Sequence, residues 1–221
     1  MAKTEPVTVI AVDGPAASGK GTIARRLARH FGYAHLDTGL LYRVAAKRLV
    51  DAGGDPADAA IAERAAGGIT GQDLRAEGLR EEDVTAAASV IAAHPGVRRA
   101  LIDYQRAFAA EPPDGAAGAV LDGRDIGTVI CPDAAHKIFV DAGVAVRAER
   151  RRRELQDRGL ESIYSRVLRD MEARDARDRT RSVAPLVPAG DALVIDTSAM
   201  DADEAFDAVL AFIAARTTPK K

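Results

Sequence analysis

The stretch Gly14-Pro-Ala-Ala-Ser-Gly19-Lys20-Gly21-Thr22 constrains this chain more than any other, because it joins a strand to a helix through a loop of small residues. Val7 to Val12, just before it, is β-branched and almost wholly apolar, as a parallel strand buried on both faces requires. Just after it, Ile23, Ala24, Leu27 and Phe31 recur at helical spacing and predict a helix over Gly21 to Phe31. A glycine-rich loop in that setting is a phosphate cradle. Small side chains let successive backbone N–H groups converge on an anion, and the positive end of the helix adds to the attraction. Lys20 supplies a point charge between the β- and γ-phosphates. Gly14, Pro15, Ala16, Ala17, Ser18, Gly19, Lys20, Gly21 and Thr22 are therefore candidate triphosphate-binding residues. The strict pattern places Ser or Thr directly after the lysine, whereas here Gly21 intervenes. The loop alone leaves kinase, ATPase and GTPase open.

Further strands are predicted at Ala34–Leu36, Ala119–Leu121, His136–Val140 and Ala192–Ile195. Helices are predicted at about 40–52, ending at Gly53-Gly54, and at about 57–66. Another closes at 89–93 before Pro95, and others run over 97–109, 144–158, 161–178 and 203–214. Residues 67–82 read as irregular or as a small hairpin, and the terminal Thr-Thr-Pro-Lys-Lys as a frayed tail. Strands alternating with helices imply a mostly parallel sheet covered on both faces, an α/β fold.

Composition narrows the function. A net charge of −2 over 221 residues argues against a general nucleic-acid or membrane binder. No run approaches the ~20 apolar residues of a membrane span, and the N-terminus is wrongly flanked for a signal peptide, so a cytoplasmic location is expected. Cys131 is the single cysteine, which excludes an intramolecular disulfide and reads as a buried spectator. The four histidines are scattered and show no metal-ligand or triad spacing.

Arginine and aspartate cluster where an acceptor would sit. His35-Leu-Asp37-Thr38-Gly39-Leu-Leu-Tyr42-Arg43 opens a helix, with Thr38 as its expected cap and Asp37 in its first turn. Arg43 is close enough to that N-terminus to share an anion with it. Leu121-Asp122-Gly-Arg124-Asp125-Ile-Gly-Thr128 follows a core strand. A carboxylate there, Asp122, is placed to hold a metal-bound water. Arg147 to Arg153 form one basic run, and Arg174-Asp175-Ala-Arg177-Asp178-Arg179-Thr-Arg181 another. Arg174, Arg177 and Arg181 share one helical face with Asp178 beside it. These are either a solvated face laced by i,i+4 ion pairs such as Arg174 with Asp178, or the guanidinium groups that bring two phosphates into line. No general base is needed, since a nucleotide 5′-phosphate is largely dianionic near pH 7.

Several blocks together resemble the bacterial cytidylate kinases: residues 12–22, Leu36-Asp-Thr-Gly39 with Tyr42-Arg43, residues 88–95 with Val97-Arg98, residues 122–129, and residues 174–186. The resemblance spans about residues 7–200. It implies a P-loop kinase fold in a single domain over 1–221: a five-stranded parallel sheet flanked by helices, with a lid and a CMP-side insert. The core would comprise about 7–53, 95–145 and 190–215, the insert about 54–94 and the lid about 150–162. The implied activity is Mg²⁺-dependent transfer of the ATP γ-phosphoryl to CMP or dCMP, by a monomer that binds neither nucleic acid nor membrane. Lys20, Arg124 and Arg181 would be catalytic, and Arg150 would join the loop in holding ATP. Arg43, Arg124 and Arg181 would hold the acceptor phosphate, with Thr38 and Tyr42 beside them. Ser89, Arg98 and Asp125 would read the cytosine edge, with Ser89 and Asp125 accepting from its amino group. Arg174 and Asp178 would contact the ribose. Thr22 and Asp122 would hold Mg²⁺, directly or through water. The insert is shorter than is common in that family and has little strand character over 67–82.

Other readings fit the residues less well. Adenylate and shikimate kinases share the loop but not the Asp-Gly-Arg-Asp-Ile-Gly-Thr block. A GTP switch needs an asparagine-containing guanine reader, and the chain has no asparagine. A nucleic-acid-binding ATPase would want exposed aromatics for stacking, and tryptophan is absent.

Overall fold

The computed structural model describes residues 7–217. Of the expected terminal tail, Thr217 is the last residue of the closing helix, and the rest lies outside the described residues. β1 (Thr8–Asp13), β2 (Ala34–Asp37), β3 (Gly118–Gly123), β4 (His136–Asp141) and β5 (Leu193–Asp196) form one sheet in the order β2-β3-β1-β4-β5. All four pairings are parallel. β1 is central, and its alternation sets the two layers. Ala11 packs with Leu36, Leu41, Leu121 and Ile126 on one face, while Ile10 and Val12 pack with Ile23, Leu27, Ile138 and Val209 on the other. Every residue of β3 is buried, as the continuous apolar run at Ala119–Leu121 predicts.

Helices α1 (Lys20–Phe31) and α8 (Ala202–Thr217) lie on the second face. α2 (Thr38–Asp51), α3 (Ala59–Ala66), α4 (Glu82–Ile91) and α5 (Pro95–Ala110) cover the first. α6 (Val144–Asp157) and α7 (Tyr164–Thr180) form a hairpin with its own small core of Ala148, Leu155, Val167 and Met171. Ala16 and Ala17 of the phosphate loop pack against that core.

Residues 67–82 take the irregular of the two expected forms, with one 3₁₀ turn at Asp73–Arg75 and no strand before α4 begins at Glu82. The sequence and the structure differ in two places. The start of α2 reverses the expected roles. Asp37 is the cap, its carboxylate accepting from the Gly39 N–H at 3.1 Å. Thr38 is the first helical residue, and its buried hydroxyl instead donates to the Asp122 carbonyl at 2.8 Å, pinning α2 to β3. Finally, Ile126–Ile130, after β3, is one wide π-helical turn that no periodicity in the sequence announces. Cys131 is half-buried against the core, and burial pushes its thiol up to about 11, as an inert side chain requires.

The end of β1 turns into the loop at Gly14, whose φ of +150° few side chains adopt. A β-carbon there would lie 2.0 Å from the Val140 carbonyl oxygen of the neighbouring strand. Backbone cannot swing aside as a side chain would. Gly14→Ala is expected to destabilise the protein by about 3 kcal/mol, read as a lower urea midpoint with the slope of the transition unchanged.

Candidate active site

In a parallel sheet the carboxyl ends of the strands share one edge, and ligands gather there. Register places Asp37 opposite Asp122, and Asp13 opposite Gly123, at that edge. A cleft of about 360 Å³ opens above it, within the range of small-molecule sites. One wall is the phosphate loop: Ala16, Ala17, Gly19, Lys20, Gly21 and Thr22 line the cleft, whereas Gly14, Pro15 and Ser18 shape the loop from behind. Ala17 and Gly19 take left-handed conformations that turn the loop around itself. The buried Ser18 contributes its carbonyl, which accepts from the Thr197 hydroxyl at 2.9 Å and ties the loop to the turn after β5. Arg150 reinforces that tie, donating to the Thr197 carbonyl at 2.6 Å and its hydroxyl at 3.0 Å. It thus sits behind the loop, and its neighbour Arg151 is the one that lines the cleft.

Lys20 reaches back along the loop, its Nζ donating to the Pro15 carbonyl at 3.2 Å. Burial and the positive charge of Arg124 push its ammonium down to about 7, against the pull of Asp122 and Asp37. Beside it, Asp122 is buried at the end of β3, and Thr22 lies in the first turn of α1. Both are hard oxygen donors of the kind Mg²⁺ takes. His35 of β2 holds the Asp122 carboxylate from the other side, with Nε2 2.8 Å from Oδ2. Its placement escapes sequence reading, because His35 gains meaning only through strand pairing across 87 residues.

The opposite wall carries the acceptor candidates. Tyr42 and Arg43 lie on α2, Ser89 on α4, Arg98 on α5, Arg124 and Asp125 after β3, and Arg174, Asp178 and Arg181 on or just after α7. All of them line the one cleft. Arg98 and Asp125 form a buried ion pair through Nη2 and Oδ2. The face of the Tyr42 ring lies 5.8 Å from the Arg98 guanidinium. Arg181 approaches Asp125 from its other oxygen, with Nη2 3.8 Å from Oδ1. Asp125 is therefore already charge-paired, with one oxygen left for a ligand. Asp178 accepts from Arg124 Nε at 2.9 Å, so the expected partnership of Asp178 with Arg174 is replaced by one across the cleft. Burial alone would raise the Asp178 carboxyl, but Arg124 and Arg174 outweigh it and hold it below the usual range. Arg174, left without that partner, has a buried Nε with no hydrogen bond, and burial and Arg124 push its guanidinium down to about 10. Ser89 accepts from Arg177, at 3.3 Å from Nε and 3.1 Å from Nη2.

Three further features are invisible in spacing. Arg25, Arg80 and Arg151 also line the cleft, and Arg80 lies 3.5 Å from Asp37. Asp13 is buried, and its two oxygens accept from the Ile126 and Gly127 N–H groups at 2.8 Å each, which fixes the backbone next to Asp125. Burial raises its carboxyl to about 6, against the pull of those two donors. A buried pair, Arg147 and Asp175, joins the roots of α6 and α7, with Nη2 2.5 Å from Oδ2. Arg147 also donates to the Ala142 carbonyl at 2.7 Å and to that of Ala16 in the loop at 3.3 Å.

Comparison with known proteins agrees with this architecture. Residues 10–215 match the family model described as cytidylate kinase. A cytidylate kinase of Paramagnetospirillum magneticum is 59% identical over 209 residues, 95% of this chain and 99% of that one. One from Methylocella silvestris is 55% identical over 205 residues, 93% of each. Among solved structures, a gluconokinase from Sinorhizobium meliloti 1021 superposes with a TM-score of 0.51 at 15% identity, covering 95% of this chain and 93% of that one, a likeness of fold. Such identity along nearly the whole chain, over a fold that brings the phosphate loop and the arginine–aspartate wall to one cleft, leaves one assignment: the chain belongs to the cytidylate kinase family.

Proposed function

We propose that this chain transfers the γ-phosphoryl of ATP to CMP or dCMP, giving ADP and the corresponding diphosphate by direct in-line displacement. The observation that carries this reading is the meeting in one cleft of a phosphate loop with a second wall of arginines that ends in a base reader. Gly14 to Thr22 hold the ATP phosphates, and Arg150, between that loop and Thr197, serves the nucleoside end. Arg43, Arg124 and Arg181 hold the acceptor phosphate, with Thr38 and Tyr42 alongside. Ser89, Arg98 and Asp125 take the cytosine edge, and Arg174 and Asp178 the sugar. Lys20, Arg124 and Arg181 stabilise charge on the transferring group, since phosphoryl transfer relies on positioning and electrostatics. The acceptor phosphate needs no base to activate it.

Thr22 and Asp122 would hold Mg²⁺, directly or through water, and their hard oxygens beside Lys20 suit it. The ion, when bound, neutralises charge on the β- and γ-phosphates. Residues of about 54–94 act as the acceptor-side insert and about 150–162 as the lid. Arg158 supports that pairing, since its Nη2 donates to the Arg80 carbonyl at 3.1 Å across the cleft mouth.

A coupled assay of ADP release with CMP, dCMP, UMP, AMP and GMP tests the acceptor. CMP or dCMP is expected to give the highest kcat/KM, and a win for AMP or UMP would sink the reading. Lys20→Met should lower kcat at least about 100-fold with the fold intact. Lys20 also gives ATP binding a proton signature. Phosphates beside an ammonium titrating near 7 raise its pKa, so binding takes up protons above pH 7 and affinity falls as pH rises. Calorimetry at pH 7.5 in two buffers of different ionisation enthalpy should register that uptake, and Lys20→Met should lose it. Asp125→Asn, which keeps a hydrogen bond to the buried Arg98, should cut the CMP-over-UMP ratio about 100-fold and leave the KM for ATP alone. An unchanged ratio would mean that the base is read elsewhere.

A further inference from the structure

We infer that His35 is a positioning residue that turns the Asp122 carboxylate toward the phosphate loop and so sets the affinity of the enzyme–nucleotide complex for a divalent cation. The inference rests on the reading of Asp122 as a holder of Mg²⁺, directly or through water.

It starts from strand register. His35 of β2 pairs with Val120 of β3, so both lie on the face of the sheet that carries α1. Side chains alternate along a strand, and Asp122, next but one after Val120, returns to that face. Asp122 is thus the diagonal neighbour of His35, within reach of a long side chain. The imidazole Nε2 accordingly meets Asp122 Oδ2 at 2.8 Å. An ionised carboxylate only accepts, so Nε2 is the donor.

Different elements hold the two ends of Asp122. Its carbonyl accepts from the Thr38 hydroxyl at 2.8 Å, and its backbone lies between Val12 of β1 and Asp37 of β2. The carboxylate, by contrast, turns about a torsion that is broad and two-fold in any aspartate. Among the described residues, the bond from His35 is the one hydrogen bond that restrains it. With Oδ2 taken, Oδ1 is left on the side of the phosphate loop, where a β-carbon on Gly21 would lie 3.8 Å from it. Gly21 stands between Lys20 and Thr22, so the free oxygen faces the segment read as holding phosphate and metal. His35 itself does not line the cleft. It lines a separate recess with Arg25, Arg29 and Tyr33, and so reaches the site through Asp122.

A carboxylate without that donor is free to turn onto the Lys20 ammonium, whose charge it already feels. An ion pair there would occupy the oxygen that a cation, or its bound water, needs. His35 keeps one oxygen out of that pairing and aims the other in advance. Partners that orient a metal-holding group from behind typically change metal affinity tenfold or more.

The test uses Mn²⁺, whose free ion gives a paramagnetic resonance signal that fades on binding. It is titrated into the enzyme with a β,γ-imido analogue of ATP, the enzyme in excess over the analogue and no acceptor present, so that nothing turns over. His35→Leu keeps the bulk and removes the donor, and should weaken Mn²⁺ binding about tenfold. His35→Gln, whose amide nitrogen reaches about as far as Nε2, should restore most of that loss. In the Asp122→Ala background, His35→Leu should add nothing further, because His35 acts only through the carboxylate. Binding of the analogue in EDTA should be the same in His35→Leu and wild type. A variant that had merely disturbed the loop would bind it less tightly there too. Wild-type Mn²⁺ affinity in His35→Leu, with Asp122→Ala weakened, overturns the inference. So does an equal loss with and without Asp122. Unchanged Mn²⁺ affinity in Asp122→Ala overturns the metal reading of Asp122 and this inference with it.

Discussion

Two phosphate-bearing molecules have to meet in one cleft, so the protein must hold several cations together before any phosphate is present. Unit charges about 4 Å apart repel by roughly 4 kcal/mol at the effective dielectric of a protein surface. Four of these cations are managed in one of two ways. Arg98 and Arg124 are given carboxylates, Asp125 and Asp178. Lys20 and Arg174 are left short of partners, and their pKa values fall to about 7 and about 10. Arg181 lies between these cases, close to Asp125 yet pushed down by burial and Arg98. The aspartates are therefore as much a part of phosphate handling as the arginines. They offset the repulsion among the arginines, and on the proposed assignment they leave the under-paired cations to gain most when phosphate binds.

Central placement of β1 makes this mosaic rigid. Its carboxyl end supplies both the phosphate loop and Asp13, whose two oxygens grip the backbone after Asp125. One strand end thereby fixes the phosphate loop and the start of the segment proposed to read the base. The same logic appears at β3, where the Asp122 side chain faces His35 while its carbonyl takes the Thr38 hydroxyl. Short bonds between strand ends, rather than long side chains, set the spacing of the two walls.

Much of this was legible in the sequence for physical reasons. The parallel sheet follows from apolar runs such as Val7–Val12 and Ala119–Leu121, and the phosphate loop from the small residues between a strand and a helix. The acceptor wall was legible as composition, since arginine and aspartate crowd residues 122–129 and 174–181. Partner choice was not. Local spacing suggests Arg174 with Asp178, but the fold gives Asp178 to Arg124, 54 residues away. His35, Asp13 and Arg177 share that difficulty, because each acts on a residue far along the chain. The reversal of Asp37 and Thr38 has a different origin. Either can cap a helix, and only the nearby β3 carbonyl decides that the hydroxyl points elsewhere.

The buried Arg147–Asp175 pair has a mechanical meaning. It clamps the roots of α6 and α7 and, through the Ala16 carbonyl, fastens them to the phosphate loop. From Arg147 to the end of α6 the axis runs about 15 Å at the usual rise per residue. Among the described residues no buried ion pair clamps the far end, where Arg158 meets Arg80 through a single hydrogen bond. On the proposed lid reading, the hairpin is a lever with its fulcrum at the loop. A tilt of about 10° there would carry the tip about 3 Å, by simple trigonometry on that length, while the atoms that cradle phosphate stay still. On that reading, geometry of this kind would separate the part of the molecule that moves from the part that must not.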